Sequence, residues 1–91
     1  MPRVVLTRHL QRFFPTLKKT EEVAGATVRE VIAELDKRYP GIALYVVDET
    51  GRLRRHVNVF VRDEPICDRE ALSDAVSNGD EVFILQALSG G

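Results

Sequence analysis

The chain ends in Ser89-Gly90-Gly91, directly after an apolar stretch, and this terminus holds its most promising chemistry. Glycine loses the most conformational freedom on ordering and has no side chain to bury, so a terminal glycine pair contributes little to a fold. A carboxylate on a thin, unbranched arm can instead be threaded into another protein's active site. From Leu88 to Gly91 an extended chain reaches about 13–14 Å. The pattern makes the Gly91 carboxylate the working group, with Gly90, Ser89 and Leu88 as its tail. A frayed terminus or a cloning remnant is the competing reading, because small residues are common at chain ends.

Other reactive residues are sparse. Cys67 is the single cysteine, which excludes an internal disulfide framework and suits a reducing cytoplasm. In a turn-rich stretch it reads as a small packed residue rather than a sulfur relay. His9 and His56 stand apart, with no second ligand at metal-binding spacing. No Ser-His-Asp set and no Gly-rich phosphate loop is present. Arg52, Arg54 and Arg55 form a basic cluster that fits either an acidic partner surface or a solvated hairpin tip. The chain therefore reads as having no catalytic residues of its own.

The elements that must position the tail follow from periodicity. Arg3–His9 reads as a first strand and Leu10–Leu17 as a connecting loop whose Phe13-Phe14 pair folds back on the domain. Lys19–Ala24 reads as a second strand, closed by Gly25. Thr27 and Glu30 match a capping box. Val28, Val31, Ile32, Leu35 and Tyr39 then form one helical stripe, ended by Pro40. Arg29, Glu30, Asp36 and Lys37 read as its solvated face. Ile42–Val47 is strand-like, though its opening also suits a helical turn. Val57–Arg62 alternates, with Val57, Val59 and Val61 on one side and Asn58, Phe60 and Arg62 on the other. Asp63-Glu64-Pro65 reads as a turn, and Asp68–Val76 as a short helical turn seating Leu72 and Val76. Glu81–Leu88 is the last strand, with Val82 and Ile84 opposed to Phe83 and Leu85.

Two strands before the helix exclude simple βαβ alternation. The order predicts an α+β domain with one main helix packed across one face of a mixed sheet. The face left open would present Phe60, Phe83 and Leu85 on or beside the strand that carries the tail, a candidate partner-docking patch. Scattered apolar residues, or cover from the Phe13-Phe14 loop, are the alternatives. The bulk numbers agree with one small domain: 91 residues, 44% hydrophobic and 30% charged. Net charge is −1, from 13 basic and 14 acidic residues, which argues against nucleic acid as a partner. No apolar run has the length of a membrane span, and no signal-peptide pattern opens the chain, so a cytoplasmic location is expected.

Gly79-Asp80-Glu81-Val82 leads through Phe83-Ile84-Leu85 to Ala87-Leu88-Ser89-Gly90-Gly91. Together with the Thr27–Tyr39 helix and the Val57–Val61 strand, this arrangement resembles the β-grasp, ubiquitin-like fold. More narrowly, it resembles the sulfur-carrier family of MoaD and ThiS type. The run Gly51-Arg52-Leu53-Arg54-Arg55 feeding Val57–Val61, followed by Asp63-Glu64, looks closest to the cysteine-synthesis carriers of the CysO kind. The resemblance implies a β-grasp domain over 1–88 and a flexible Gly-Gly tail over 89–91. It also implies an E1-like adenylyltransferase that joins the Gly91 carboxylate to AMP from Mg-ATP, so that ATP and Mg belong to the partner and no cofactor is bound here. A sulfurtransferase or free sulfide would then leave a thiocarboxylate on Gly91. The acceptor would be a cysteine synthase, the large subunit of a molybdopterin synthase or a thiazole-forming enzyme. A ubiquitin-like modifier conjugated through Gly91, a small molybdopterin-synthase subunit and a plain β-grasp interaction domain are the other readings.

Overall fold

A computed structural model describes residues 1–86. The described residues form strands β1 (Arg3–Leu6), β2 (Thr20–Glu22), β3 (Val57–Val61), β4 (Glu64–Pro65) and β5 (Glu81–Gln86). Three helices, α1 (Arg8–Phe13), α2 (Val28–Arg38) and α3 (Ala43–Val46), lie between them. The sheet order is β2-β1-β5-β3-β4. β1 and β5 run parallel at its centre, and the other pairings are antiparallel. This mixed sheet with one main helix is the β-grasp arrangement expected from the sequence.

The alternation in β3 and β5 decides which face is covered. Val57, Val59 and Val61 are buried, as are Val82 and Ile84, and they join Val4 and Leu6 of β1 in the core. Val28, Val31, Ile32 and Leu35 of α2 close over them. Each such side chain contributes about 1.5–3 kcal/mol when taken fully out of water.

The helix start is fully satisfied. Glu30 N–H donates to Thr27 Oγ1 at 3.2 Å. The Glu30 carboxylate reaches one residue further back than the usual box, accepting from Ala26 N–H at 2.9 Å. Val28 N–H and Arg29 N–H donate to the carbonyls of Asp74 and Leu72, so the segment after Asp68 serves as a second cap. At the other end Asp36 is half-buried rather than solvated, and its Oδ1 accepts from Gly41 N–H and Ala43 N–H.

Several expectations need correction. The first strand stops at Leu6, and α1 replaces its expected end and the first part of the expected loop, because Leu10 and Phe14 share a helical face and Leu10 is buried. Ile42–Val47 is not a strand: its opening turn continues as α3 and seats Val46 in the core. Asp63-Glu64-Pro65 is more than a turn, since Glu64–Pro65 pairs back on β3. The two-residue connection is Arg62-Asp63, both left-handed, as a twist-matched hairpin requires.

Asp68–Val76 holds the expected single helical turn, closed by Leu72 N–H donating to Asp68 O at 3.2 Å, with Leu72 and Val76 buried. The Asp68 carboxylate accepts from the N–H groups of Glu70, Ala71 and Ser73 and from the Ser73 hydroxyl. Led by the Ala71 N–H and the Ser73 hydroxyl, these donors hold its pKa down at about 2. Leu72 then turns left-handed and drops into the core, which stops propagation after a single turn.

One buried carboxylate escaped the sequence reading. Glu21 on β2 is 5% exposed and accepts from the Tyr39 hydroxyl, from Arg38 Nη1 at 2.8 Å and from Lys18 N–H at 3.1 Å. Burial pushes its pKa up, and the three donors with the Arg38 charge more than offset this, leaving it below the usual value. The triad ties β2 to the end of α2.

Candidate docking face and tail exit

β5 is the structural root of the tail. It lies between β1 and β3, and its last residue, Gln86, stands opposite Val57 at the start of β3. Asp80 fixes its entry: the carboxylate takes Ser77 N–H at 2.8 Å and the Arg62 guanidinium, while Arg3 N–H donates to Asp80 O at 2.8 Å. The strand that carries the chain toward residues 87–91 is thus held on both sides and at its start. Leu88, Ser89, Gly90 and Gly91, and with them the boundary between the expected domain and tail, lie outside the described residues.

The sequence placed Phe60, Phe83 and Leu85 on the open face, and the structure brings them together. Phe60 stands opposite Phe83 across the β3–β5 ladder. With Leu85 and Asp63 these residues line a shallow depression of about 240 Å³. The two rings are half-buried, and Leu85 is 39% exposed. Val5 of β1 stands opposite Phe83 on its other side. The Phe13-Phe14 pair does not cover this patch. It packs against Tyr45, Phe13 stacked at 5.1 Å between ring centres and Phe14 edge-on at 5.7 Å.

Two buried side-chain oxygens, Thr7 Oγ1 and Gln86 Oε1, have no hydrogen-bond partner among the described residues. Thr7 follows the end of β1 and Gln86 ends β5, so in this parallel pair both lie at the end of the sheet where residues 87–91 begin.

The other candidates resolve as follows. Cys67 is exposed rather than packed, because its neighbour Ile66 takes the buried position; its N–H donates to Asp74 Oδ2 at 2.9 Å. The described residues contain no cluster of three or more His, Cys, Asp or Glu able to hold a metal ion. Arg52, Arg54 and Arg55 are joined by His56 and by Arg69, which sequence reasoning did not connect with them. Arg69 reaches them through the Asp68 turn, a juxtaposition no local pattern signals. None of its described helices is long and apolar enough to cross a membrane.

A β-grasp sheet with an open aromatic face and a Gly-Gly terminus after its central strand defines the class as ubiquitin-like. Residues 4–91 match the ThiS family, and the chain belongs to it. It is 37% identical over 76 residues to sulfur carrier protein CysO of Mycobacterium tuberculosis, covering 81% of this chain and 82% of that one. It is 29% identical to small archaeal modifier protein 3 of Haloferax volcanii, over 88% of this chain and 95% of that one. Its fold superposes on a chain of the Amycolatopsis orientalis BexX/CysO complex with a TM-score of 0.87 and 33% identity, covering 100% of both chains.

Proposed function

We propose that this protein is a sulfur carrier whose working group is the Gly91 carboxylate. The observation that carries the reading is the placement of the Phe60–Phe83–Leu85 patch on and beside β5, the strand that leads directly into residues 87–91. A partner seated on that face receives the tail in the same encounter. Membership of the ThiS family and the likeness to proteins named as sulfur carriers support it.

A carboxylate is a poor electrophile and must be activated. In the proposed cycle a Gly91 oxygen attacks the α-phosphorus of Mg-ATP in an E1-like adenylyltransferase, and pyrophosphate leaves. Sulfide then adds to the acyl carbon, and AMP departs with the electron pair of the broken C–O bond; a sulfurtransferase persulfide would instead leave an acyl disulfide, whose S–S bond a second thiol cleaves, the donor leaving as a disulfide. The product is a Gly91 thiocarboxylate, a soft nucleophile for an acceptor synthase. The likeness to CysO favours cysteine synthesis over molybdopterin or thiazole formation as the destination. ATP and Mg belong to the activating enzyme, and the carrier acts as its co-substrate rather than as a catalyst, in the cytoplasm. Glycines at positions 90 and 91 let backbone pass where side chains would block.

A second reading, a modifier joined to lysines through Gly91, is favoured by the likeness to small archaeal modifier protein 3. Pyrophosphate release by an E1-like adenylyltransferase of the same genome tests what the two share. The intact chain should support it and a chain lacking Gly90 and Gly91 should not; equal release with both would overturn the proposal. Isopeptide adducts in cells with no thiocarboxylate would move the modifier ahead.

A further inference from the structure

Beyond the aromatic face, a second surface lies beside the start of β3, where Val57 stands opposite Gln86. Arg52, Arg54, Arg55, His56 and Arg69 surround one open depression of about 530 Å³. Asp48 is the single carboxylate in its described lining, and it is already engaged by Thr50 N–H at 2.8 Å, the Thr50 hydroxyl at 2.6 Å and Arg52 N–H at 3.1 Å. Glu70 meets Arg52 only at 3.8 Å, between two exposed side chains. In a chain of net charge −1, this is a local surplus of positive charge and not an average property.

The cluster is also built. Arg54 Nε donates to Leu44 O at 2.7 Å. Arg69 Nη2 bridges Arg54 O at 2.9 Å and Val57 O at 2.8 Å. These bonds hold the two guanidinium groups in place, whereas Arg55 and His56 are exposed and make no hydrogen bond or ion pair with any described residue. Their location matters most. Val57, which follows His56 and accepts from Arg69, stands opposite Gln86, the last residue before the tail segment.

We propose that this basic cluster is an ionic docking site for a carboxylate-rich surface on the enzyme that receives residues 87–91. The inference rests on the carrier reading above and adds a second contact to it. Exposed arginines on the rim of an open depression suit a broad acidic protein surface; a small phosphate compound would meet no enclosing wall there. Charges so placed act mainly on encounter rate and register, steering the tail toward its channel before the apolar face seats.

The test measures pyrophosphate release by the E1-like adenylyltransferase of the same genome while the carrier concentration is varied, at low and high salt. Arg55→Glu/His56→Glu places negative charge at the two side chains that carry no bond to a described residue, and a matched thermal melt reports folding. The expected result is a KM for the carrier raised roughly tenfold or more, with kcat retained and a weaker salt dependence than wild type. Lys37→Glu, which alters an exposed charge on α2, should leave KM unchanged. An unchanged KM in Arg55→Glu/His56→Glu, with wild type turning over, overturns the docking site alone. A raised KM for ATP in place of the carrier overturns it in favour of a phosphate contact. No turnover of wild type by an enzyme active on another carrier overturns both readings.

Discussion

Phe60 and Phe83 face each other across the β3–β5 ladder, on the side of the sheet that α2 does not cover. Their neighbour Leu85 is exposed and one residue short of the end of β5. Two of the three patch residues, Phe83 and Leu85, therefore lie on the strand whose last residue, Gln86, precedes residues 87–91.

That relationship gives the first prediction. Leu85→Glu places a charge in the middle of the patch while disturbing a side chain that is already 39% exposed. Stability should change by less than about 1 kcal/mol. The KM for the carrier in adenylation should rise by roughly tenfold or more, as for a truncated central contact. Unchanged kinetics would remove the patch from the docking surface.

A second prediction concerns Glu21. Its folded pKa lies below the ordinary 4.5, so its contribution is fully present above pH 4.5 and is lost as pH falls through the folded value. Glu21→Gln should cost about 1.5–3 kcal/mol at neutral pH, the range for a hydrogen bond to a charged group. The variant should also lose less stability than wild type on acidification below pH 4.5, seen as a flatter plot of Tm against pH. The phenol of Tyr39 is raised above its ordinary 10.0, first by its hydrogen bond to Glu21, so the same link should fail again only in strong alkali.

Asp68 yields a separate acid-limb prediction. Its pKa of about 2, against an ordinary 3.8, means that its stabilisation is complete above pH 3.8 and disappears as pH falls toward 2. Asp68→Asn should flatten stability over that lower window and should speed amide exchange at Ala71 and Ser73, whose N–H groups it accepts. Exchange unaltered at both amides would contradict the capping role.

Gly25 tests the packing of α2 on the loop before it. A Cβ there would stand 2.7 Å from Val31 Cγ2 and 2.8 Å from Val31 N, and the backbone nitrogen cannot swing aside. Gly25→Ala should destabilise by about 1–3 kcal/mol through overpacking, measured by denaturant midpoint. The same change at Gly79 meets no atom within 4 Å, and only its left-handed φ of 84° opposes it.

The contrast between these sites shows what the sequence can express. The α2 stripe and the alternation of β3 and β5 are local periodic signals, and they located the core and the open face correctly. α1 was hidden because Arg8–Phe13 is barely more than a turn and its Thr7 cap makes no side-chain bond. Glu21 reads as an ordinary strand-edge acid, since the Arg38 and Tyr39 that bury it lie 17 and 18 residues away. Arg69 joins Arg54 from 15 residues on only because the Asp68 cap folds that turn back. Contacts of that kind belong to the assembled sheet and leave no mark in any short window.

The most direct test of the account is the intact mass of the protein after incubation with its adenylyltransferase, Mg-ATP and a sulfide source. The account predicts the mass gain of one oxygen exchanged for sulfur, confined by fragmentation to Gly91 and absent from Gly91→Ala. An active adenylyltransferase that leaves the wild-type mass unchanged, or an exchange located on any other residue, would contradict it.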